Sequence, residues 1–415
     1  MRIVIISAAS PPEPICAGRV HWDCAKHFAE ENNEVYLISP YPSRPLGTNY
    51  LTDNCNKVTQ VGKNFIHVNV NSFTHPKYNL YLRVFESLDF GIRSIRYVNS
   101  NIKDYDLIYV SPWAFIGHLM IMLLRKNKRA LFIMNVQDLY PESFFIKINF
   151  ETVIKILKPL HWVDRFIARR SSHITVVSES LKQVYLNKRK ISDSKITVLH
   201  NWQDESEFLK PVIPKEQILE KYKLKAINEK FVYMYLGNIG PVAGVETIIN
   251  AFGELDNKNS VMVIAGSGTN KERCRLIAER IRISNIYFLE VPLGLNPVVE
   301  LQSIADILML PILPVASNSS IPSKLIAYMF SAKPIITSAN NLSETASAIV
   351  EAKCGWITKS HDCTEWAGLM NLAYETDKKK LDEMGRAGFD YAIKNYSKKQ
   401  GLIKVNQLFQ RLINR

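Results

Sequence analysis

Short apolar, β-branched runs alternate along this chain with stretches whose apolar residues fall three or four apart. The runs lie at residues 3–7, 35–38, 65–70, 107–110, 130–134 and 173–177, then at 232–236, 261–265, 286–289, 307–311 and 334–337. Most are continuously apolar rather than alternating, which predicts strands covered on both faces, as in parallel sheets built from β-α-β units. The rhythm stops between Asp204 and Lys230, where Pro211, Pro214 and many charges intervene. This predicts an α/β fold of two Rossmann-like, doubly wound domains, residues 1–205 and 206–396, without a short-period repeat. Over residues 397–415, Leu402, Val405, Leu408, Phe409 and Leu412 make one helical stripe, so a closing helix is expected. Such sheets bind ligands at their strand carboxyl ends, and the two domains are expected to share a cleft there.

A chain of 415 residues exceeds one hydrophobic core, and 47% hydrophobic with 22% charged positions excludes a disordered one. The six cysteines show no paired spacing for zinc or bridges, which fits reduced thiols in a cytoplasmic enzyme. The apolar run at residues 3–7 is too short for a secretory signal. That from Trp113 to Leu124 stops at Arg125 and Lys126, short of a membrane span. The net charge of +13 concentrates at residues 125–129 and at Lys155, Lys158, Arg165, Arg169 and Arg170, with an aromatic stretch at 144–150 between them. Basic charge beside insertable aromatics predicts a peripheral contact with the inner face of the cell membrane through Phe144, Phe145, Ile146 and Lys147. A solvated basic face over core phenylalanines is the other reading. Nucleic acid is not an expected partner, since none of the usual binding modules is visible.

Candidate chemistry sits in loops. Gln137-Asp138-Leu139-Tyr140-Pro141-Glu142-Ser143 follows the run at 130–134 and puts two carboxylates at a strand's carboxyl end. Leu236-Gly237-Asn238-Ile239-Gly240 and Ile264-Ala265-Gly266-Ser267-Gly268 are glycine turns after the first two strands of the second half, and Ile321-Pro322-Ser323-Lys324-Leu325 lies further on. Glycine turns and helix N-termini hold diphosphates through backbone N–H groups, so Gly237, Gly240 and Gly244 are candidates, with simple closure of a tight turn as the plainer reading. Gly18 and Arg19 end a proline-rich loop, the first allowing close approach and the second offering donors to an anion or standing free in solvent. Asp104-Tyr105-Asp106 has the form of a manganese-binding Asp-x-Asp string but precedes a strand, at the end away from such sites; it reads as turn residues, and no metal is expected. His118, on an apolar helical face, reads as a core residue.

In this order and spacing the four motifs resemble the retaining glycosyltransferases of family 4, across essentially the whole chain. The nearest likeness is to bacterial enzymes of O-antigen and capsule assembly, N-acetyl-L-fucosamine transferases among them. Their Asp-Leu-Trp-Pro-Glu-Ser and Pro-Ser-Lys-Leu strings recur here with Tyr140 for the tryptophan. The resemblance implies the GT-B architecture: an acceptor-binding first domain, a second domain holding a nucleotide sugar, and a last helix crossing back to the first. It implies donor contacts from Gly18, Arg19, Gly237, Asn238, Gly240, Gly266, Ser323 and Lys324. Asp138 is then the catalytic residue, with a helix cap or turn residue as the plainer reading; Glu142, one turn further on, is placed on the acceptor side or in a structural role, and no cofactor is expected. The implied reaction is front-face transfer from a UDP-sugar to a polyprenyl-diphosphate-linked saccharide.

Three departures stand out. Asn238 and Ala243 replace the family's phosphate-clamping Arg and Lys, leaving backbone dipoles, Lys324 and Arg19 to balance the diphosphate. Ser319 and Ala327 fall where the family has two glutamates, the second a ribose ligand. Gln137 precedes the aspartate where a His or Arg is usual. A UDP-sugar epimerase of the same fold, or a non-catalytic sugar-nucleotide-binding subunit, are the alternatives.

Overall fold

The computed structural model describes residues 1–44, 48, 50, 52–76, 79–140, 142, 159–292, 294–313, 321–341, 343–358 and 362–414. The chain forms two compact units, Met1–Asn201 with Gly401–Arg415, and Trp202–Gln400.

The first unit holds an eight-stranded sheet of β1 (Arg2–Ser7), β2 (Glu34–Pro40), β3 (Lys57–Gly62), β4 (Phe65–Val70), β5 (Leu107–Ser111), β6 (Leu131–Val136), β7 (His173–Val176) and β8 (Ile196–Val198). Its order is β3-β4-β2-β1-β5-β6-β7-β8. All pairs are parallel except β3 with β4, a departure from the all-parallel expectation. The antiparallel β3 escaped the apolar pattern because it is an edge strand with all six residues exposed. Ile3 to Ile6 are fully buried, which is why the run is apolar on both faces. The helix Lys398–Ile413 completes this core. Phe409 stacks on Phe28 with ring centroids 4.9 Å apart and meets Tyr109 edge-on at 5.5 Å.

The second unit has a six-stranded parallel sheet of β9 (Phe231–Leu236), β10 (Ser260–Ala265), β11 (Ile286–Leu289), β12 (Ile307–Leu310), β13 (Ile335–Ser338) and β14 (Gly355–Thr358), in the order β11-β10-β9-β12-β13-β14. Alternate residues of β9 feed opposite cores: Val232, Met234 and Leu236 face one, Tyr233 and Tyr235 the other. Residues 202–205, expected in the first domain, group with the second unit. Gln203 bridges to Ser397, the Lys398 N–H donates to Glu205, and the Lys398 ammonium pairs with Asp204 at 3.1 Å.

Strand order reverses at β1/β5 in one sheet and at β9/β12 in the other, and ligands of doubly wound sheets lie at such points. The loops after these strands therefore frame the candidate sites. Among the described residues, no helix is long and apolar enough to cross a membrane.

Candidate functional site

In the second unit, β9 ends under a buried hydroxyl: Tyr328 receives the Leu236 N–H at 2.8 Å and donates to the Leu236 carbonyl at 3.1 Å. The chain then leaves the sheet through Gly237, whose φ of +148° suits glycine. A Cβ there would overlap the Lys324 side chain, and one at Gly266 (φ +138°) would overlap the Gly237 carbonyl. These glycines let the turns after β9 and β10 and the lysine close on one another, and the turns stay paired through Gly237 N–H to Ala265 O at 2.9 Å and Ile239 N–H to Ser267 O at 2.8 Å. Gly244 caps the helix Val245–Gly253 and Pro322 the helix Ser323–Phe330; neither supplies a side-chain cap. The first N–H groups of both helices are thus left without a capping side chain.

Lys324 lies across this turn. Its ammonium donates to the Tyr235 hydroxyl and to the Asn238 carbonyl at 3.2 Å, and it sits 4.5 Å from the Tyr235 ring centroid. The Tyr235 phenol in turn donates to the Asn238 carbonyl at 2.6 Å and is held neutral, its pKa pushed up by burial. None of the ion pairs among the described residues includes Lys324. Burial without a counter-ion draws its pKa from 10.5 down to about 8. An anion at this turn would supply the missing charge. Ser323 and Asn238 are exposed beside it, and Gly240 is buried in the turn. Ala327 is buried on the same helix and presents a methyl group, while Ser319 lies outside the described residues.

In the first unit, Gly18 is buried against Ala9 in the first turn of the helix Cys16–Glu30, and Arg19 follows it, partly exposed. The preceding loop is anchored by buried Glu13, whose carboxylate accepts the N–H groups of Ser43 at 2.7 Å and Arg44 at 2.8 Å. Asp138 is exposed on the bend after β6. It helps line a pocket with Trp113, His118, Asn135, Gln137, Tyr140, Asp164 and Tyr185.

Beneath the bend runs a polar ladder. Asn201 donates to Gln137 and Gln137 to Asn135, both at 2.8 Å, and Asn135 is further held by Ser111, Tyr109 and Thr175. His118 is a core residue: its Nε2 lies 2.9 Å from the Val110 carbonyl, and burial takes its pKa down to about 4. Glu142 bonds the guanidinium of Arg189 at 2.8 Å, and Arg189, 2% exposed, also holds Asp164 at 2.7 Å. Tyr185 donates to Asp164 at 3.0 Å, and burial outweighs the arginine to raise the Asp164 carboxyl to about 6. Glu142 is thus committed to Arg189, whose guanidinium also donates to the Tyr140 carbonyl at 3.1 Å.

Arg189 gave no signal in the sequence, where it sits in a basic stretch like any solvated one. Tyr235 looked only like a strand former. Asp104 and Asp106 lie at the amino end of β5, where the Asp106 carboxylate accepts the Arg2 N–H at 2.7 Å and the Asp104 carbonyl accepts from the Arg2 guanidinium. Phe144, Phe145, Ile146 and Lys147 lie outside the described residues.

Comparison with known proteins bears on the whole chain. Residues 17–207 match the family model described as Glycosyltransferase Family 4, and residues 216–390 the one described as Glycosyl transferases group 1. A curated relative, the probable glycosyltransferase WbjE of Pseudomonas aeruginosa, is 23% identical over 282 residues, 66% of this chain and 67% of its own. Among solved structures, sucrose-phosphate synthase from Thermosynechococcus elongatus superposes with a TM-score of 0.76 at 13% identity, covering 100% of this chain and 99% of that one. Anabaena HepE, solved with UDP and glucose, gives 0.69 at 12% identity over 99% of each chain. The chain belongs to glycosyltransferase family 4 and is a glycosyltransferase of GT-B fold.

Proposed function

We propose that this enzyme is a retaining transferase that takes a sugar from a UDP-sugar held in the second unit and passes it to a lipid-linked saccharide bound by the first, in assembly of a bacterial surface polysaccharide. The observation that carries the reading is Lys324, a half-buried cation with no counter-ion among the described residues, which lies in the first turn of the helix Ser323–Phe330 and across the glycine turn after β9. UDP as the nucleotude moiety is supported by HepE and by the E. coli trehalose-6-phosphate protein solved with UDP-2-fluoro glucose. A surface polysaccharide is supported by the likeness in fold to WaaG, a glycosyltransferase of lipopolysaccharide biosynthesis. The motifs at Asp138 and Lys324 suit O-antigen or capsule assembly, with an N-acetylated deoxyhexosamine as donor sugar.

In this reading the turn and the lysine neutralise the leaving diphosphate as its bond to the sugar breaks. The new bond forms on the same face, and a diphosphate oxygen receives the acceptor hydroxyl's proton. Asp138 orients that hydroxyl. Ser323, Asn238, Gly240 and Gly266 complete the donor contacts of the second unit.

A thermal-shift screen of UDP and UDP-sugars followed by single-turnover transfer tests this. Donor-dependent stabilisation with sugar transfer is the expected result. Binding with inversion at C2 of the sugar and no transfer would instead favour an epimerase, and binding without chemistry a non-catalytic subunit.

A further inference from the structure

The helix Leu160–Arg170 has an outer face that the donor site does not use. Ile167 and Ala168 are fully buried, as is Asp164, its one acidic residue. Trp162, Phe166, Arg169 and Arg170 point outward at spacings of four, three and one, which is a single helical stripe. Trp162 is 81% exposed and Phe166 39%, with the Arg170 guanidinium 5.0 Å over the Phe166 ring.

The helix Phe115–Leu124 packs beside it and ends in exposed Leu123 and Leu124. There the Lys128 ammonium caps the carbonyls of Met122 and Leu123 at 3.0 and 2.9 Å. Lys126, Lys128 and Arg129 are exposed, and no acidic residue occurs from Trp113 to Leu131. Exposing an indole, a phenyl ring and two leucines to water is unfavourable unless something apolar covers them. The basic residues around them select what that is. A dissolved polyanion would satisfy the arginines yet leave Trp162 and the leucines in water, whereas a bilayer with anionic headgroups meets both, because tryptophan and arginine favour its interface.

We propose that this face, built on Trp162, Phe166, Arg169 and Arg170, docks the first unit on an anionic lipid bilayer. The proposal gives a place to the lipid-linked acceptor and rests on that reading for its purpose, but not for its test.

The test is co-sedimentation of the full chain with vesicles of phosphatidylglycerol and phosphatidylcholine, and of phosphatidylcholine alone, with no sugar present. The native protein is expected to bind the anionic vesicles and to release as salt rises, with about tenfold or more weaker binding to the neutral ones. Trp162→Ala/Phe166→Ala and, separately, Arg169→Glu/Arg170→Glu should each weaken binding at least about tenfold while far-UV circular dichroism and melting stay native. Tyr81→Ala/Phe85→Ala, on the helix Leu80–Asn101, should bind as the native chain does. Native binding by both stripe variants, or no binding of the native protein at low salt, would overturn the proposal. So would a dimer in sedimentation velocity that Trp162→Ala/Phe166→Ala dissolves, since a second copy would then be the occupant. Failure of vesicle binding alongside intact transfer to a detergent-solubilised acceptor would remove the surface and leave the transferase reading in place.

Discussion

Lys324 shows how much one residue's setting decides. It has no counter-ion among the described residues and desolvation holds its pKa near 8, so Lys324→Ala is expected to weaken UDP binding by about 1–3 kcal/mol, read by titration calorimetry. UDP affinity should fall as pH rises through about 8, where the ammonium is lost, and the Ala variant should lack that fall. The effect on stability has the opposite sign. Between about 8 and 10.5 the unfolded chain keeps a proton that the folded chain has released, so the lysine's unfavourable contribution at neutral pH fades as pH rises. Asp138 is exposed, and Asp138→Asn should melt as the native protein does while turnover drops by about tenfold or more. Native turnover in that variant would remove Asp138 from the reaction. Asp138 and Lys324 were legible because their motifs are local; the phenol beneath Lys324 was not, because Tyr235 meets it across 89 residues of chain.

At the level of elements, Arg189 ties Glu142 to the helix Leu160–Arg170 through Asp164, and Asp164 in turn accepts the Tyr185 hydroxyl of the helix Glu179–Asn187. Arg189→Met is expected to destabilise the protein by about 3–5 kcal/mol, since it strands a buried carboxylate. The sign of its pH dependence follows from Asp164, whose carboxyl already titrates near 6 with the arginine present and higher without it. Above that range the variant must protonate or bury a charge that the unfolded chain leaves in water. Urea denaturation should therefore show a larger loss at pH 8 than at pH 5. Strands in runs rich in apolar and β-branched residues were readable, and residues 65–70 and 286–289 match β4 and β11 end to end. The edge strand β3, the three-residue β8 and β14, which begins at Gly355, were not, because none presents such a run.

For the whole molecule, the return of the chain to the first unit makes that unit's stability depend on residues some 200 positions away from the rest of it. Phe409→Ala removes a ring that is fully buried against Phe28 and Tyr109 and should cost about 3–5 kcal/mol. Scanning calorimetry is expected to show the first unit melting earlier in this variant. UDP should raise the melting of the second unit by the native increment, since its candidate contacts lie within Trp202–Gln400. Loss of the UDP-induced shift in Phe409→Ala would show that the two units do not behave independently.

The sequence by itself determined the two α/β halves, the parallel character of most of their strands and the glycine turns with their following lysine. These depend on periodicity and on backbone conformations that few residue types allow. Only the tertiary structure decided what each of those residues faces. It set Lys324 against neutral partners, committed Glu142 to Arg189, sent Phe409 home to Phe28 and left Trp162 in solvent. The physical reason is that charge, burial and exposure are properties of a residue's neighbours, and in this chain those neighbours are supplied from distant positions by the folding of the sheets.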